Sequence, residues 1–196
     1  MRAVAQLVAV VGLLAVGALG SAQAQRAQTR EGFWIGFGFG YGSSSLSCGS
    51  GCSFTSDSKG GGGAGYLKMG GTLSPKVLLG GEVNGWVKDV SGTTEEVGNV
   101  SAALYLYPAP ASGFFVKGGV GFASYMLRNG GSSVSASGFG LLAGLGYDIR
   151  VGRKISLTPT GNFYFGSDGD LKDGGTVLIP SVKHTVFDFG LGITFH

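Results

Sequence analysis

The C-terminal stretch, residues 184–196, constrains the fold of this chain more than any other part of it. Bulky apolar side chains stand at every second position, at Phe187, Phe189, Leu191, Ile193 and Phe195. Small or polar residues fill the positions between them, at Asp188, Gly190, Gly192 and Thr194. Because successive side chains of a β-strand point to opposite faces, this alternation predicts a strand with one apolar and one polar face. The apolar face is too continuous for a surface in water, and we predict that it faces lipid.

The N-terminal residues have the composition of an export signal rather than of a folded element. Arg2 supplies a positive charge, residues 7–19 are apolar, and Ala22-Gln23-Ala24 is a small-x-small cleavage site. This order is typical of a secretory signal peptide, and the apolar run is shorter than the roughly 20 residues of a membrane-spanning helix. We therefore predict a signal peptide at residues 1–24 and one mature domain at 25–196.

The mature sequence is apolar enough for a membrane but contains no uninterrupted apolar run long enough for a spanning helix. Charged residues make up 13% of the chain, whereas glycine accounts for 40 of its 196 residues. A closed β-barrel is the remaining structure that satisfies every backbone hydrogen bond in lipid. The absence of a basic run argues against a nucleic-acid partner.

Alternation of the same kind recurs along the whole mature chain. It predicts eight strands, at residues 32–42, 63–73, 77–88, 96–107, 114–127, 137–149, 155–166 and 184–196. The intervening segments alternate between short turns and mostly longer polar loops, the longer ones being 43–61, 128–136 and 167–181. Pro159 lies inside a predicted strand and, because it lacks a backbone N–H, indicates a β-bulge there. The fold prediction is an all-β, eight-stranded antiparallel up-and-down transmembrane barrel.

The inward positions of these strands combine glycine with a few charged residues. An eight-stranded barrel is just filled by its own side chains, so glycine leaves room for larger groups such as tryptophan and tyrosine. Lys68 and Glu82 flank a tight turn symmetrically and are predicted to pair, and Lys117 and Asp148 are predicted to pair in the same way. Asp188 is a fifth inward charge without an evident neighbour. Because buried charges persist when they are paired, we predict a plugged lumen with cross-strand ion pairs.

The last strand resembles the C-terminal assembly signal of bacterial outer-membrane barrels. Asp188, Gly190, Ile193 and Phe195 match its polar, glycine, hydrophobic and aromatic positions in order, although His196 follows the aromatic residue with which the signal usually ends. The mature chain as a whole resembles the small eight-stranded outer-membrane β-barrel superfamily, the OmpA/OmpX-like barrels. The resemblance implies an outer-membrane location, with membrane lipids and the barrel-assembly machinery as partners. It leaves open whether the barrel is an anchor, an adhesin, a pore or an enzyme.

Candidate sites for chemistry are few. Cys48 and Cys52 lie in a polar loop and, in an exported chain, are predicted to form a disulfide. Asp168, Asp170 and Asp173 could hold calcium, but a solvated acidic loop is the simpler interpretation.

His184 has no catalytic partner in the sequence pattern, because Asp188 lies about 13 Å along the same strand. The lipid A deacylases that resemble this barrel use a His-x-Ser arrangement, which His184-Thr185-Val186 lacks. We expect no catalytic residues, cofactor or metal. The main functional hypothesis is therefore a non-enzymatic barrel with a structural or surface-contact role. A narrow channel for small or hydrophobic solutes is the alternative, and a membrane-lipid hydrolase is a more distant one.

Overall fold

The computed structural model describes residues 30–48, 60–130, 132–173 and 176–196. These residues form nine β-strands. Their bounds are Phe33–Ser47 (β1), Gly60–Ser74 (β2), Val77–Val90 (β3), Thr93–Leu106 (β4), Phe114–Asn129 (β5), Ser132–Tyr147 (β6), Ile149–Arg150 (β7), Ile155–Asp173 (β8) and Thr176–Phe195 (β9). In this part of the chain no helix is long and apolar enough to cross a membrane.

The strands form one closed antiparallel sheet. Each of β1 to β5 pairs with the strand that follows it, β8 pairs with β9, and β9 returns to β1. A further pairing between β6 and β8 completes the ring, and the two-residue β7 continues the line of β6 along β8. The fold is therefore the predicted eight-stranded up-and-down barrel, whose sixth strand is interrupted once.

The sixth strand is interrupted at Asp148, and the predicted β-bulge at Pro159 is not found. The pairing of β8 with β9 runs through Pro159 and Leu191 without a register shift, so there is no bulge at the proline. Instead, the pairing of β8 with β6 ends at Gly146 and resumes between Ile149 and Leu157. Because proline has no N–H to donate, the ladder opens on its β6 side. The Asp148 N–H there bonds to the Gly113 carbonyl at 2.9 Å.

The two faces of the barrel wall have the predicted composition. The apolar rows point outward, and Phe39 and Phe122, for example, are 76% and 77% exposed. The large inward side chains are buried, namely Trp34, Tyr66, Trp86, Tyr105, Tyr125 and Tyr164. The barrel is thus apolar outside and filled inside.

The strands continue well beyond their predicted ends, which corrects the expectation of long loops. β5 ends at Asn129 and β6 begins at Ser132, while β8 and β9 leave only residues 174–175 between them. At the height where these extensions begin, the outward row changes from aromatic to polar, as from Phe122 to Ser124 and from Phe139 to Ser137. The inward row becomes apolar at the same height. The extensions are therefore amphipathic in the sense expected of a sheet in water.

Apolar side chains fill the space between these extensions. They are Leu46, Leu127, Val134, Leu171, Ile179 and Val182, all of which belong to or pack against the buried cluster, and we call them the apolar cap. The end of the barrel that carries the cap is the loop end. The opposite end, with Arg30, His196 and the segments 75–76, 107–113 and 151–154, is the turn end.

Candidate functional site

The centre of the lumen holds a buried charge cluster on β2 to β5. Lys117 Nζ forms an ion pair with Glu82 Oε1, and the Tyr105 hydroxyl donates a hydrogen bond to Glu82 Oε2. The predicted pairing of Lys117 with Asp148 does not occur, because the register places Lys117 opposite Gly144. Glu82 is therefore the carboxylate that compensates Lys117, two strands away.

Lys68 is opposite Glu82 in the register of β2 and β3, as the sequence indicated. Its ammonium group, however, is surrounded mainly by aromatic rings. Nζ lies 4.9 Å from the ring centroid of Phe115 and 5.5 Å from that of Tyr105. Since aromatic faces attract cations, these rings stabilise a second positive charge beside Glu82.

A second cluster closes the turn end. Arg30, which precedes β1, is buried, and its guanidinium carbon lies 3.5 Å from the ring centroid of Tyr107. The same guanidinium donates hydrogen bonds to the carbonyls of Pro110 at 3.0 Å and Ser112 at 2.9 Å. Arg30 therefore ties the start of the barrel to the segment between β4 and β5.

Asp148, in the barrel wall, contacts the side chains of this cluster. Its carboxylate accepts hydrogen bonds from the hydroxyls of Tyr107 and Thr158, both at 2.9 Å. Arg30 Nη2 lies 3.9 Å and His196 Nε2 3.4 Å from Asp148 Oδ2. We call Arg30, Tyr107, Asp148 and His196 the turn-end latch. The residue that extends past the usual aromatic terminus, His196, thus has a place inside the barrel end.

Between the two clusters and the loop end lies a polar stretch of lumen. Asp188 accepts a hydrogen bond from Asn162 Nδ2 at 2.8 Å, and Asn99 accepts one from Ser101 at 2.5 Å. Several buried polar atoms of this stretch have no hydrogen-bond partner within the described protein, among them both amide atoms of Asn84. Buried polar groups of this kind are normally satisfied by internal water. This part of the lumen is therefore polar.

Near the loop end, Asp168 and His184 form a buried pair that the sequence did not reveal. His184 Nδ1 and Asp168 Oδ2 are 2.7 Å apart, and neither side chain is exposed. The expectation of a solvated acidic loop is therefore wrong for Asp168. Asp170 instead accepts a hydrogen bond from the Ser181 N–H at 3.1 Å. Among the described residues, no three acidic, histidine or cysteine side chains come close enough together to hold a metal ion.

The second ring nitrogen of His184, Nε2, is buried and has no hydrogen-bond partner among the described residues. A Cβ placed on Gly166 would lie 2.7 Å from His184 Nε2 and 2.7 Å from Ala123 Cβ, so the ring lies against this part of the wall. Ser44, the buried serine on β1, is opposite Val186 rather than His184. The carboxylate and imidazole are arranged like two members of a hydrolase triad, and within the described ranges no hydroxyl or thiol is hydrogen-bonded to the imidazole as a third member would be.

Two further predictions concern the disulfide at Cys48 and the assembly signal in β9. Cys48 is disulfide-bonded, and its predicted partner, Cys52, lies outside the described residues. In the assembly-signal pattern, Asp188 points inward while Ile193 and Phe195 point to the lipid side of β9. Its use as an assembly signal stays a prediction.

The sequence matches a known protein family over most of its length. The family model described as "Outer membrane protein beta-barrel domain" matches residues 11–195. The chain belongs to this outer-membrane β-barrel family. No match was found among the curated proteins.

Solved structures of outer-membrane barrels have the same fold. Neisserial surface protein A (NspA) is 13% identical, with a TM-score of 0.57 over 84% of this chain and 97% of that chain. Ail, the attachment invasion locus protein of Yersinia pestis, is 14% identical, with a TM-score of 0.52 over 84% of this chain and 99% of that chain. At this identity the similarity shows the fold alone.

Proposed function

We propose that this family member is a sealed, non-enzymatic outer-membrane barrel whose loop end presents a rigid β-sheet platform for surface contact. The single observation that carries the proposal is the apolar cap. Its buried side chains hold the strand extensions together above the lipid-facing rows, as a core holds a small water-soluble sheet.

The dimensions support a platform that stands clear of the membrane. β9 contains 20 residues. At about 3.3 Å per residue and a tilt of about 40°, such a strand rises about 50 Å along the barrel axis. The apolar band of an outer-membrane barrel is about 25 Å tall. Because short turns of such barrels face the periplasm, the capped end is the extracellular one.

The seal is supported at three heights. Arg30 closes the turn end against Tyr107, Glu82 holds Lys117 across the centre, and Val182 is fully buried in the cap. A solute would have to displace all three, two of which are charged contacts in a low-dielectric interior. Signal-peptide export and assembly through the C-terminal strand complete the proposal.

Planar-bilayer recording tests the seal. The purified barrel is expected to give no stable single-channel steps. The triple variant Arg30→Ala, Lys117→Ala and Val182→Ala, which shortens one side chain at each of the three heights, is expected to give small, flickering ones. Val83→Ala, which shortens an outward side chain of β3, is the matched control and is expected to stay silent. Regular large steps from the unmodified protein would refute a sealed barrel.

Protease treatment of intact cells tests the platform. Because the extensions are hydrogen-bonded strands over a buried core, we expect an externally added protease to leave residues 132–173 uncut. Rapid cleavage within residues 165–173 would contradict a rigid platform.

A narrow polar conduit is the second candidate, and the unpartnered polar atoms around Asn84 are the observation that favours it. Swelling of liposomes that contain the barrel, in solutions of small polar solutes, separates the two candidates. The sealed barrel predicts swelling at the rate of empty liposomes, whereas a conduit predicts faster swelling that Asn84→Leu reduces.

A further inference from the structure

A cleft of about 770 Å³ opens at the turn end, beside the first residues of β1. Its lining consists of Glu31, Gly32, Phe33, Arg153, Lys154 and His196, and we call it the basic cleft. It is separate from the clusters that seal the lumen, apart from His196, which borders both. Arg153 and Lys154 take no part in the contacts that seal the lumen.

The segment that carries the two basic residues is held in a defined conformation. The N–H groups of Val151 and Gly152 bond to the Ile155 carbonyl at 3.1 and 3.0 Å, and the His196 N–H bonds to the Lys154 carbonyl at 3.0 Å. Arg150 Nη1 also donates to the Arg153 carbonyl, at 2.8 Å. Little backbone order therefore has to be gained when a ligand binds.

The charge of the basic cleft is not neutralised within the described chain. Both Arg153 and Lys154 are exposed, and no described carboxylate lies within 4.0 Å of either. Glu31 is the acidic residue of the lining, and it also lacks a described ion pair. The α-carboxylate of His196 also borders the cleft, but Arg153 and Lys154 form no ion pair with it or with Glu31, so both cations remain available to an anion.

The position of the basic cleft along the barrel axis indicates which kind of anion could reach it. Phe33, in the lining, is 64% exposed and is the first member of the outward aromatic row of β1. Ile155 follows Lys154 directly and begins the outward row of β8. The basic groups therefore lie where hydrocarbon gives way to headgroups, on the side that faces the periplasm.

We propose that the basic cleft binds the phosphate of an anionic phospholipid in the periplasmic leaflet of the outer membrane. The Arg153 guanidinium is suited to two phosphate oxygens at once, and Lys154 adds a point charge. Phe33 contacts the first methylene groups of the same lipid. The turn end is thereby anchored to one leaflet by a specific headgroup charge as well as by apolar contact.

Native mass spectrometry of the detergent-solubilised barrel tests the proposal, with phosphatidylglycerol and the zwitterionic phosphatidylcholine as probes. The double variant Arg153→Gln with Lys154→Gln is compared with Lys76→Gln, which removes an exposed charge from a different turn. Heat-modifiable migration confirms that each protein is folded. Glycerol phosphate, added as a soluble competitor, distinguishes recognition of a free phosphate from recognition of a lipid.

We expect the unmodified barrel to bind phosphatidylglycerol at least tenfold more tightly than phosphatidylcholine. The double variant should bind phosphatidylglycerol about twentyfold more weakly, because each basic residue near an anionic surface contributes about fivefold. Lys76→Gln should change this binding less than twofold. Glycerol phosphate should compete weakly, since it lacks the acyl chains that contact Phe33.

Equal binding of the two lipids to the unmodified protein would overturn the proposal. So would a double variant within twofold of the unmodified protein, or an equal loss for Lys76→Gln. If glycerol phosphate at the same concentration as the lipid abolished lipid binding, the ligand of the cleft would be a soluble phosphate and not a lipid, and the proposal would be wrong. If the double variant fails to fold, the unmodified protein decides the matter, because raising NaCl from about 20 to about 300 mM should abolish the preference.

Discussion

Replacing Glu82 by glutamine is expected to destabilise the barrel by about 3 kcal/mol. The substitution keeps the shape of the side chain and an acceptor for the Tyr105 hydroxyl, but it removes the negative charge that faces Lys117. Lys68, directly across the strand pair, also loses a nearby negative charge. Removing one partner of a buried ion pair typically costs about 3 to 5 kcal/mol, and the retained hydrogen bond places this variant at the lower end.

Tryptophan fluorescence during urea unfolding in phospholipid vesicles measures the change. The chain has two tryptophans, Trp34 and Trp86, and both are buried in the lumen. The Trp34 ring centroid is 4.9 Å from that of Tyr105, so it lies beside the perturbed cluster. The midpoint of the emission shift, with the slope of the transition, gives the free energy of unfolding.

Two further variants distinguish a buried charge from a generic loss. Glu96→Gln breaks the exposed pair with Arg128, whose closest atoms are 3.5 Å apart on the outer surface, and is expected to cost less than about 1 kcal/mol. Adding Lys117→Met to Glu82→Gln removes the cation that lost its ion-pair partner and should recover about half of the loss. The reasoning is refuted if Glu82→Gln costs no more than Glu96→Gln, or if the added substitution lowers stability further.

Three other outcomes follow from the same structure. Gly40→Ala should lower the free energy of unfolding in urea by about 2 kcal/mol or more, because the added Cβ would lie 2.1 Å from a main-chain oxygen of β9. Gly85→Ala is the control: no atom lies within 4 Å of its added Cβ, and the free energy of unfolding should change by less than about 0.5 kcal/mol. Val182→Asn should expose the β8–β9 extension to protease while heat-modifiable migration of the barrel persists; loss of both together would argue against a separate cap. Arg30→Ala should lower the free energy of unfolding by about 2 kcal/mol through lost ring and ion contacts, and an unchanged midpoint would show that the turn-end latch contributes nothing.

Alternation in the sequence was sufficient to predict the barrel because it repeats in every strand. A one-residue slip would turn a whole row such as Phe187 to Phe195 to the wrong face, so the register is set wherever one face meets lipid. The same parity identified Lys68, Glu82, Lys117 and Asp188 as inward. It could not identify which charges meet, because that depends on side chains reaching across two strands, as Lys117 does to Glu82.

The strand extensions were missed because the pattern changes sign along them. Below the cap, apolar residues point outward, whereas in the extensions they point inward, as Leu171 and Val182 do. Read with a single parity, such segments look like irregular polar loops. Register shifts at Gly169, where φ is 74°, and a φ of 55° at Ser181 further obscure the pairing that brings Asp168 to His184. The reversal of parity was nevertheless present in the sequence and could have been used.

The turn-end latch was missed for a different reason. Arg30 precedes the first strand, and nothing in its local sequence indicates that it folds under the barrel onto Tyr107. Its position depends on the carbonyls of a turn more than 80 residues away, at Ser112. Contacts of this range follow from the closed shape of the sheet and not from any local pattern.

The glycine-rich inner wall and the charge cluster are two halves of one arrangement. A Cβ on Gly36 of β1 would lie 2.8 Å from Lys68 Cε, and one on Gly38 would lie 2.6 Å from Tyr66 Cε1. Long side chains from β2 therefore extend over the bare backbone of β1 at these two positions. A wall of alanine would force the same side chains away from Glu82 and separate the charges that compensate one another. The proposed seal therefore depends on the glycines of β1 as much as on the ion pair between β3 and β5.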